Sequence, residues 1–333
     1  MFHVSCCKFI SSTYFMSLNN YPTNSSLLTP RSTLQHGIIP PIVTPLISPD
    51  ELDVAGLERL INRVLSGGVH GVFILGTTGE APGLSYRLRR ELIDYSSRFI
   101  AGRVPLLVGV SDTAFDETAS LARFAADHGA AAAVLAPPYY FPATGAQLRQ
   151  YYDQAVQSIP IPTILYHMPE LTKVHFDLEF LDWALDNPRI IALKDSSGNL
   201  DFFWRACQMT RRRDDFPVFV GPEHLLEPAL RLGGAGGVNG GANLWPELFV
   251  NMYEMVRANN LVEVGKIQNK IDQLGQIYQI ASGGLGVTRG LKRALQRLNI
   301  CGECVVPPFY SLPIQEARLI DNLTDELFNG GLD

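Results

Sequence analysis

From Gly37 onward, short runs of consecutive apolar residues alternate with longer segments in which apolar positions recur every third or fourth residue. Uninterrupted runs suit strands covered on both faces, and periodic segments suit amphipathic helices. The runs fall at residues 37–43, 69–75, 104–110, 131–135, 162–165, 190–193, 216–220 and 236–238. A helical segment follows each of them. In the first, Asp53 stands as an N-cap, Leu57, Leu60, Ile61 and Val64 share one face, and Gly67-Gly68 ends the helix. Others are predicted at 85–100, up to His128, at 146–157 and at 177–185.

Strands that alternate with helices imply parallel pairing, and eight such units close most naturally into a (β/α)8 TIM barrel. An open doubly wound sheet is the alternative, but no Gly-x-Gly-x-x-Gly turn follows the first strand, so dinucleotide binding has no support. After Trp245 the strands stop. Helices predicted at 246–258, 261–280, 284–299 and 312–328 form a C-terminal helical extension suited to an assembly surface. The expected division is a barrel over 36–243 and a helical region over 244–333. Residues 1–35 are rich in Ser, Thr and Asn, hold no acidic residue and show no periodicity. Their fixed charges are Lys8 and Arg31, and Ser11-Ser12-Thr13 interrupts any signal-like apolar stretch. They are expected to be a disordered extension, with Met16 as a candidate start.

Composition narrows the function. With 46% hydrophobic and 18% charged residues the chain can build a large soluble core, and no stretch approaches the roughly 20 apolar residues of a membrane span. A net charge of -6 without a basic block argues against nucleic acid as the partner. Five scattered cysteines, Cys6, Cys7, Cys207, Cys301 and Cys304, are not a disulfide framework and point to a reducing, cytoplasmic setting. Cys301-Gly302-Glu303-Cys304 has the spacing of a redox or metal pair but lacks a second pair or histidines to complete a zinc site.

A barrel brings its strand carboxyl ends to one face. Read in order, those ends carry Thr44, Thr77-Thr78, Ser111, Tyr139-Tyr140, Tyr166, Lys194, Glu223 and Asn239. Metal catalysis is disfavoured, because His167, His175 and His224 lie without paired acidic ligands. Serine chemistry lacks a Gly-x-Ser-x-Gly elbow. Lysine chemistry on a carbonyl fits best: Lys194 ends the apolar run 190–193, and a desolvated amine there can form a Schiff base. The turn Gly76-Thr77-Thr78-Gly79-Glu80 offers hydroxyls and amides to a carboxylate, so a 2-keto acid would be selected. Taken singly, each piece also has an ordinary structural explanation: a solvated lysine, a strand-to-helix turn, a packed tyrosine.

Together they resemble the dihydrodipicolinate synthase and N-acetylneuraminate lyase family of Schiff-base aldolases, across about residues 37–300. The resemblance is carried by Gly-Thr-Thr-Gly-Glu at 76–80, Pro-Tyr-Tyr at 138–140, Tyr-x-x-Pro at 166–169, Lys-Asp-Ser-Ser-Gly at 194–198 and the glycine-rich strand ending Ala242-Asn243. It implies a homotetramer built as a dimer of dimers, and no cofactor beyond the covalent imine on Lys194. It implies Tyr166 as a proton shuttle linked through Thr78 to Tyr140, with Tyr140 lent across the tight dimer interface. It further implies Thr77 and Thr78 on the pyruvate carboxylate, with the Val238 backbone near the keto-acid end.

One position departs from the synthase. Leu171 stands where dihydrodipicolinate synthases carry an arginine for the second substrate's carboxylate, and Lys173 is the nearest cation in sequence. That leucine looks more like the sialic acid lyases and 2-keto-3-deoxy sugar acid aldolases, and Glu223 and Asn239 are expected to meet sugar hydroxyls. Thr77, where sialic acid lyases typically have serine, and the apolar Phe141-Pro142 argue against a sialic acid lyase. The expectation is a pyruvate-dependent aldolase for a 2-keto-3-deoxy acid, acting on small-molecule keto acid and aldehyde. Condensation of pyruvate with aspartate semialdehyde is the alternative, and a non-catalytic binding or assembly barrel is the alternative of another class.

Overall fold

The computed structural model describes residues 34–329. Most of the expected N-terminal extension, residues 1–33, lies outside the described residues. Eight parallel strands form one sheet: β1 (Gly37–Ile38), β4 (Val72–Ile74), β5 (Leu106–Gly109), β6 (Ala132–Leu135), β7 (Thr163–His167), β8 (Ile190–Asp195), β9 (Val218–Val220) and β10 (Gly236–Gly237). They follow the order β1-β10-β9-β8-β7-β6-β5-β4. The two ends meet at a parallel bridge between Pro41 and Phe73, where the Ile42 amide donates to the Phe73 carbonyl at 2.9 Å and the Phe73 amide to Pro40 at 3.0 Å. The sheet therefore closes into a TIM barrel.

Helices follow the strands as the periodicity predicts: α1 (Val54–Ser66), α2 (Tyr86–Ile100), α3 (Phe115–Asp127), α4 (Gly145–Ser158), α5 (Pro169–Thr172), α6 (Leu178–Leu185), α7 (Leu200–Thr210) and α8 (Leu226–Arg231). Asp53 caps α1 by accepting from the Gly56 amide at 2.8 Å. Leu57, Leu60, Ile61 and Val64 of α1 are all buried. The extension comprises α9 (Pro246–Arg257), α10 (Leu261–Ile280), α11 (Gly286–Arg297) and α12 (Ile314–Asn329), with α10 packed on the other three.

Two differences from the expected elements bear on the site. An antiparallel hairpin of β2 (Leu46–Ser48) and β3 (Glu51–Leu52) follows the first strand, too short for alternation to reveal. More consequentially, β7 and β8 run farther than their apolar runs. Tyr166 and Lys194 are strand residues in direct register, followed by the pair His167 and Asp195.

Strand alternation sorts these side chains into two environments. Ile39, Phe73, Leu107, Ala132, Val134, Ile164, Tyr166, Ala192, Phe219 and Val238 pack together inside the barrel. Leu165 and Leu193, one position away, pack outward against the helices. Ala192, two residues before Lys194 on the same strand, is a small interior residue directly below the amine.

Candidate active site

Lys194 arrives at the barrel mouth on β8 and is 6% exposed. Its Nζ lies 3.8 Å from the centre of the Tyr166 ring and 4.9 Å from that of Phe73. Burial pushes the amine below the usual lysine range, while the charge and hydrogen bond of the Tyr166 phenol pull the other way. Burial dominates, so the neutral, nucleophilic form is accessible at lower pH than for a free lysine.

The turn after β4 presents the next group. Leu75 and Glu80 both take left-handed backbone conformations (φ 58° and 59°), which bends residues 76–79 tightly over the mouth. Thr44 fixes the bend by donating to the Gly79 carbonyl at 2.7 Å. Gly76 is required for its size, because a Cβ there would come within 2.6 Å of the Phe73 ring. The Thr77 hydroxyl and the Tyr166 hydroxyl share a hydrogen bond at 3.1 Å. This corrects the expected relay through Thr78: the turn aims Thr77 at the phenol, whereas Thr78 is engaged through its carbonyl, which accepts from Thr288 of α11 at 3.3 Å.

A cavity of about 400 Å³ opens here, lined by Phe73, Thr77 and Tyr166 together with Ser111, Tyr139 and Met168. Leu171 of α5 also lines it and is 50% exposed. Lys173 does not supply the missing cation. It adopts a left-handed conformation, and its ammonium donates back to the Glu170 carbonyl. Tyr139 faces this cavity, but Tyr140 is 74% exposed and packs edge-on against Phe141 with ring centres 4.9 Å apart. Within one chain Tyr140 thus lies on Phe141 at the surface while Thr77 bonds to Tyr166, so a single chain does not bring the third member of the expected relay to the site.

Val238 joins the barrel interior beside Tyr166. Glu223 and Asn239 each have one internal partner, and Glu223 Oε1 and Asn239 Oδ1 are left without one. The Glu223 carboxylate accepts from the Gly241 amide at 2.7 Å through Oε2, while Oε1 and the nearby Tyr278 hydroxyl of α10 are buried without a hydrogen bond of normal geometry. Burial, opposed by the polar hydrogens of Gly241 and Tyr278, raises its pKa to about 7. Asn239 is fully buried and donates to the Gly221 carbonyl at 2.9 Å. Both stitch the closing loops of the barrel and are absent from the cavity lining.

Two buried pairs escaped the sequence reading. On the outer faces of β7 and β8, the Phe176 amide donates to His167 Nε2 at 3.2 Å, leaving the proton on Nδ1, which donates to Asp195 at 2.8 Å. Asp195 also accepts from the amide and hydroxyl of Ser197, both at 3.1 Å. This pair locks the strand ends that carry Tyr166 and Lys194. The other is Glu80 with Lys292 of α11, an ion pair with both side chains 0% exposed. Among the described residues, no group of three or more His, Cys, Asp or Glu is placed to hold a metal ion. Cys301 and Cys304 are free thiols, Cys301 raised to about 12 chiefly by burial.

An inward lysine beneath a tyrosine and a Gly-Thr-Thr-Gly-Glu turn is thus assembled on a closed barrel. A model of the dihydrodipicolinate synthetase family matches residues 34–323. The chain belongs to the dihydrodipicolinate synthetase family. Its relatives span lyase and aldolase activities. It is 33% identical to the probable 2-dehydro-3-deoxy-D-pentonate aldolase YjhH of Escherichia coli, over 73% of this chain and 82% of that protein. It superposes on the dihydrodipicolinate synthase of Bacteroides thetaiotaomicron with a TM-score of 0.85 and 43% identity, covering 88% of this chain and 99% of that one. YagE of E. coli, solved in complex with pyruvate, gives a TM-score of 0.83 at 27% identity, with the same shares covered. The protein is accordingly an enzyme of this lyase and aldolase family. No helix among the described residues is long and apolar enough to cross a membrane.

Proposed function

We propose that the protein is a class I aldolase that forms an imine between Lys194 and pyruvate and makes or cleaves a 2-keto-4-hydroxy acid. The observation that carries this reading is the buried Lys194 amine, 3.8 Å from the Tyr166 ring, whose hydroxyl is in turn bonded to Thr77. The neutral amine adds to the ketone carbon of pyruvate, and loss of water leaves a protonated imine, an electron sink. Tyr166, whose hydroxyl gives its proton to the departing water, is left as the phenolate and takes a proton from the adjacent methyl group, yielding an enamine. The enamine carbon attacks an aldehyde, whose oxygen takes up a proton, and water then releases the product from Lys194. Cleavage is the same sequence reversed.

The amides and hydroxyls of Thr77 and Thr78 would hold the carboxylate, with the Val238 backbone at the keto-acid end. Tyr140, exposed in the single chain, would serve the site of a second copy in a dimer of dimers. No external cofactor is required by this route. The names of relatives support a 2-keto-3-deoxy sugar acid as substrate. Condensation of pyruvate with aspartate semialdehyde is a second reading, favoured by the 43% identity to the Bacteroides protein and opposed by Leu171 in the cavity wall.

Turnover of variants tests the assignment. Lys194→Ala is expected to abolish aldol cleavage. Tyr166→Phe is expected to reduce it by about a hundredfold or more while still allowing imine formation. Full activity in both variants would contradict the proposal and favour a non-catalytic barrel.

A further inference from the structure

The sequence suggests an assembly role for the C-terminal region, yet part of it reaches the active site. Val306, Pro307, Pro308 and Phe309, with Leu285 from the loop before α11, line the same cavity as Thr77 and Tyr166. Several features hold this strap in place. Lys292 Nζ donates to the Cys304 carbonyl at 2.5 Å and pairs with Glu80, and Glu80 Oε2 accepts from the Val306 amide at 2.9 Å. Glu80 also ends the turn that carries Thr77, so one buried carboxylate joins the catalytic turn to the strap. Two glycines make room for it. A Cβ on Gly83 would lie 2.3 Å from Val306 Cγ2, and one on Gly284 would lie 2.5 Å from the Phe309 ring.

The strap brings only apolar side chains to the cavity. Leu171 and Leu285 extend that character. The cations near it are already engaged: Lys292 with Glu80, Lys173 with the Glu170 carbonyl, and Arg89 with Asp112 at 2.6 Å. A second carboxylate entering here would leave water without gaining a counter-charge.

We propose that the strap is the specificity wall of the site: Val306 and Phe309 set the size of the aldehyde that meets the pyruvate enamine, and a lining that offers no cation restricts it to an aldehyde without a second carboxylate. This rests on the imine chemistry proposed above and adds the residues that choose the second substrate. Lys292 acts only through the strap and is a positioning residue.

The test compares the wild-type protein with Phe309→Ala and Phe309→Arg, using pyruvate with propanal, 3-methylbutanal or glyoxylate. Borohydride trapping of pyruvate is run on each protein. Wild type should favour propanal over both others. Phe309→Ala should raise the ratio of kcat/KM for 3-methylbutanal over propanal about tenfold. Phe309→Arg should raise the ratio for glyoxylate over propanal by a similar factor, because a guanidinium grips a carboxylate. Val306→Ala, a milder change, should move the size ratio in the same direction as Phe309→Ala. If the variants trap pyruvate as wild type does and all ratios stay fixed, the strap proposal is overturned while the imine chemistry survives. If wild type traps no pyruvate, both are overturned.

Discussion

Lys194 lies against two aromatic faces, which favour its charged form, inside a barrel whose dryness favours the neutral one. The net shift is downward, the direction that the proposed imine chemistry requires. The phenol beside it needs a route for its proton, and the hydroxyl in reach is that of Thr77 at 3.1 Å. Thr77→Val should therefore lower kcat by about tenfold or more, whereas Thr78→Val should lower it less, a comparison made by steady-state kinetics on both variants. An equal loss in the two would return the relay to Thr78. The residues proposed here to carry the chemistry stand out in the sequence because they sit at or just after the ends of apolar strands. Which threonine faces the phenol was not, because neighbouring residues of a turn are separated only by backbone dihedrals such as those of Leu75 and Glu80.

At the scale of elements, the barrel was readable from its apolar runs because strands buried on both faces leave no polar interruptions. Boundaries were not: β7 and β8 continue through polar residues, since His167 and Asp195 satisfy each other across the strand pair. Glu223 was read as a substrate ligand from its place after β9. In the structure its carboxylate accepts from Gly241 in the closing loop, 18 residues on, a partner that no local pattern shows. The raised pKa of about 7 gives this link a pH signature. The folded chain binds the Glu223 proton more tightly than the unfolded chain does, so the stabilisation is full below the ordinary carboxylate pKa. It is lost as pH rises through about 7. Denaturant titrations from pH 4.5 to 8 should show wild type losing stability relative to Glu223→Gln, by at most about 3 kcal/mol. A difference independent of pH would show that Glu223 does not titrate in this window.

For the whole molecule, the single chain holds Lys194, Tyr166 and Thr77 together but leaves Tyr140 on its surface, 74% exposed. If Tyr140 completes the site of a second copy, Lys194→Ala and Tyr140→Phe subunits should complement each other. After dissociation and random reassembly, half the tight dimers are mixed and one of their two sites is intact, so turnover should recover to about a quarter of wild type. No recovery above the separate variants would confine each site to one chain. The account depends most directly on a covalent bond at one residue. Borohydride reduction of the purified protein with pyruvate, followed by peptide mass mapping, should place a reduced pyruvyl adduct on Lys194. An adduct on another lysine, or none from folded protein when a known family member is trapped in parallel, would contradict it.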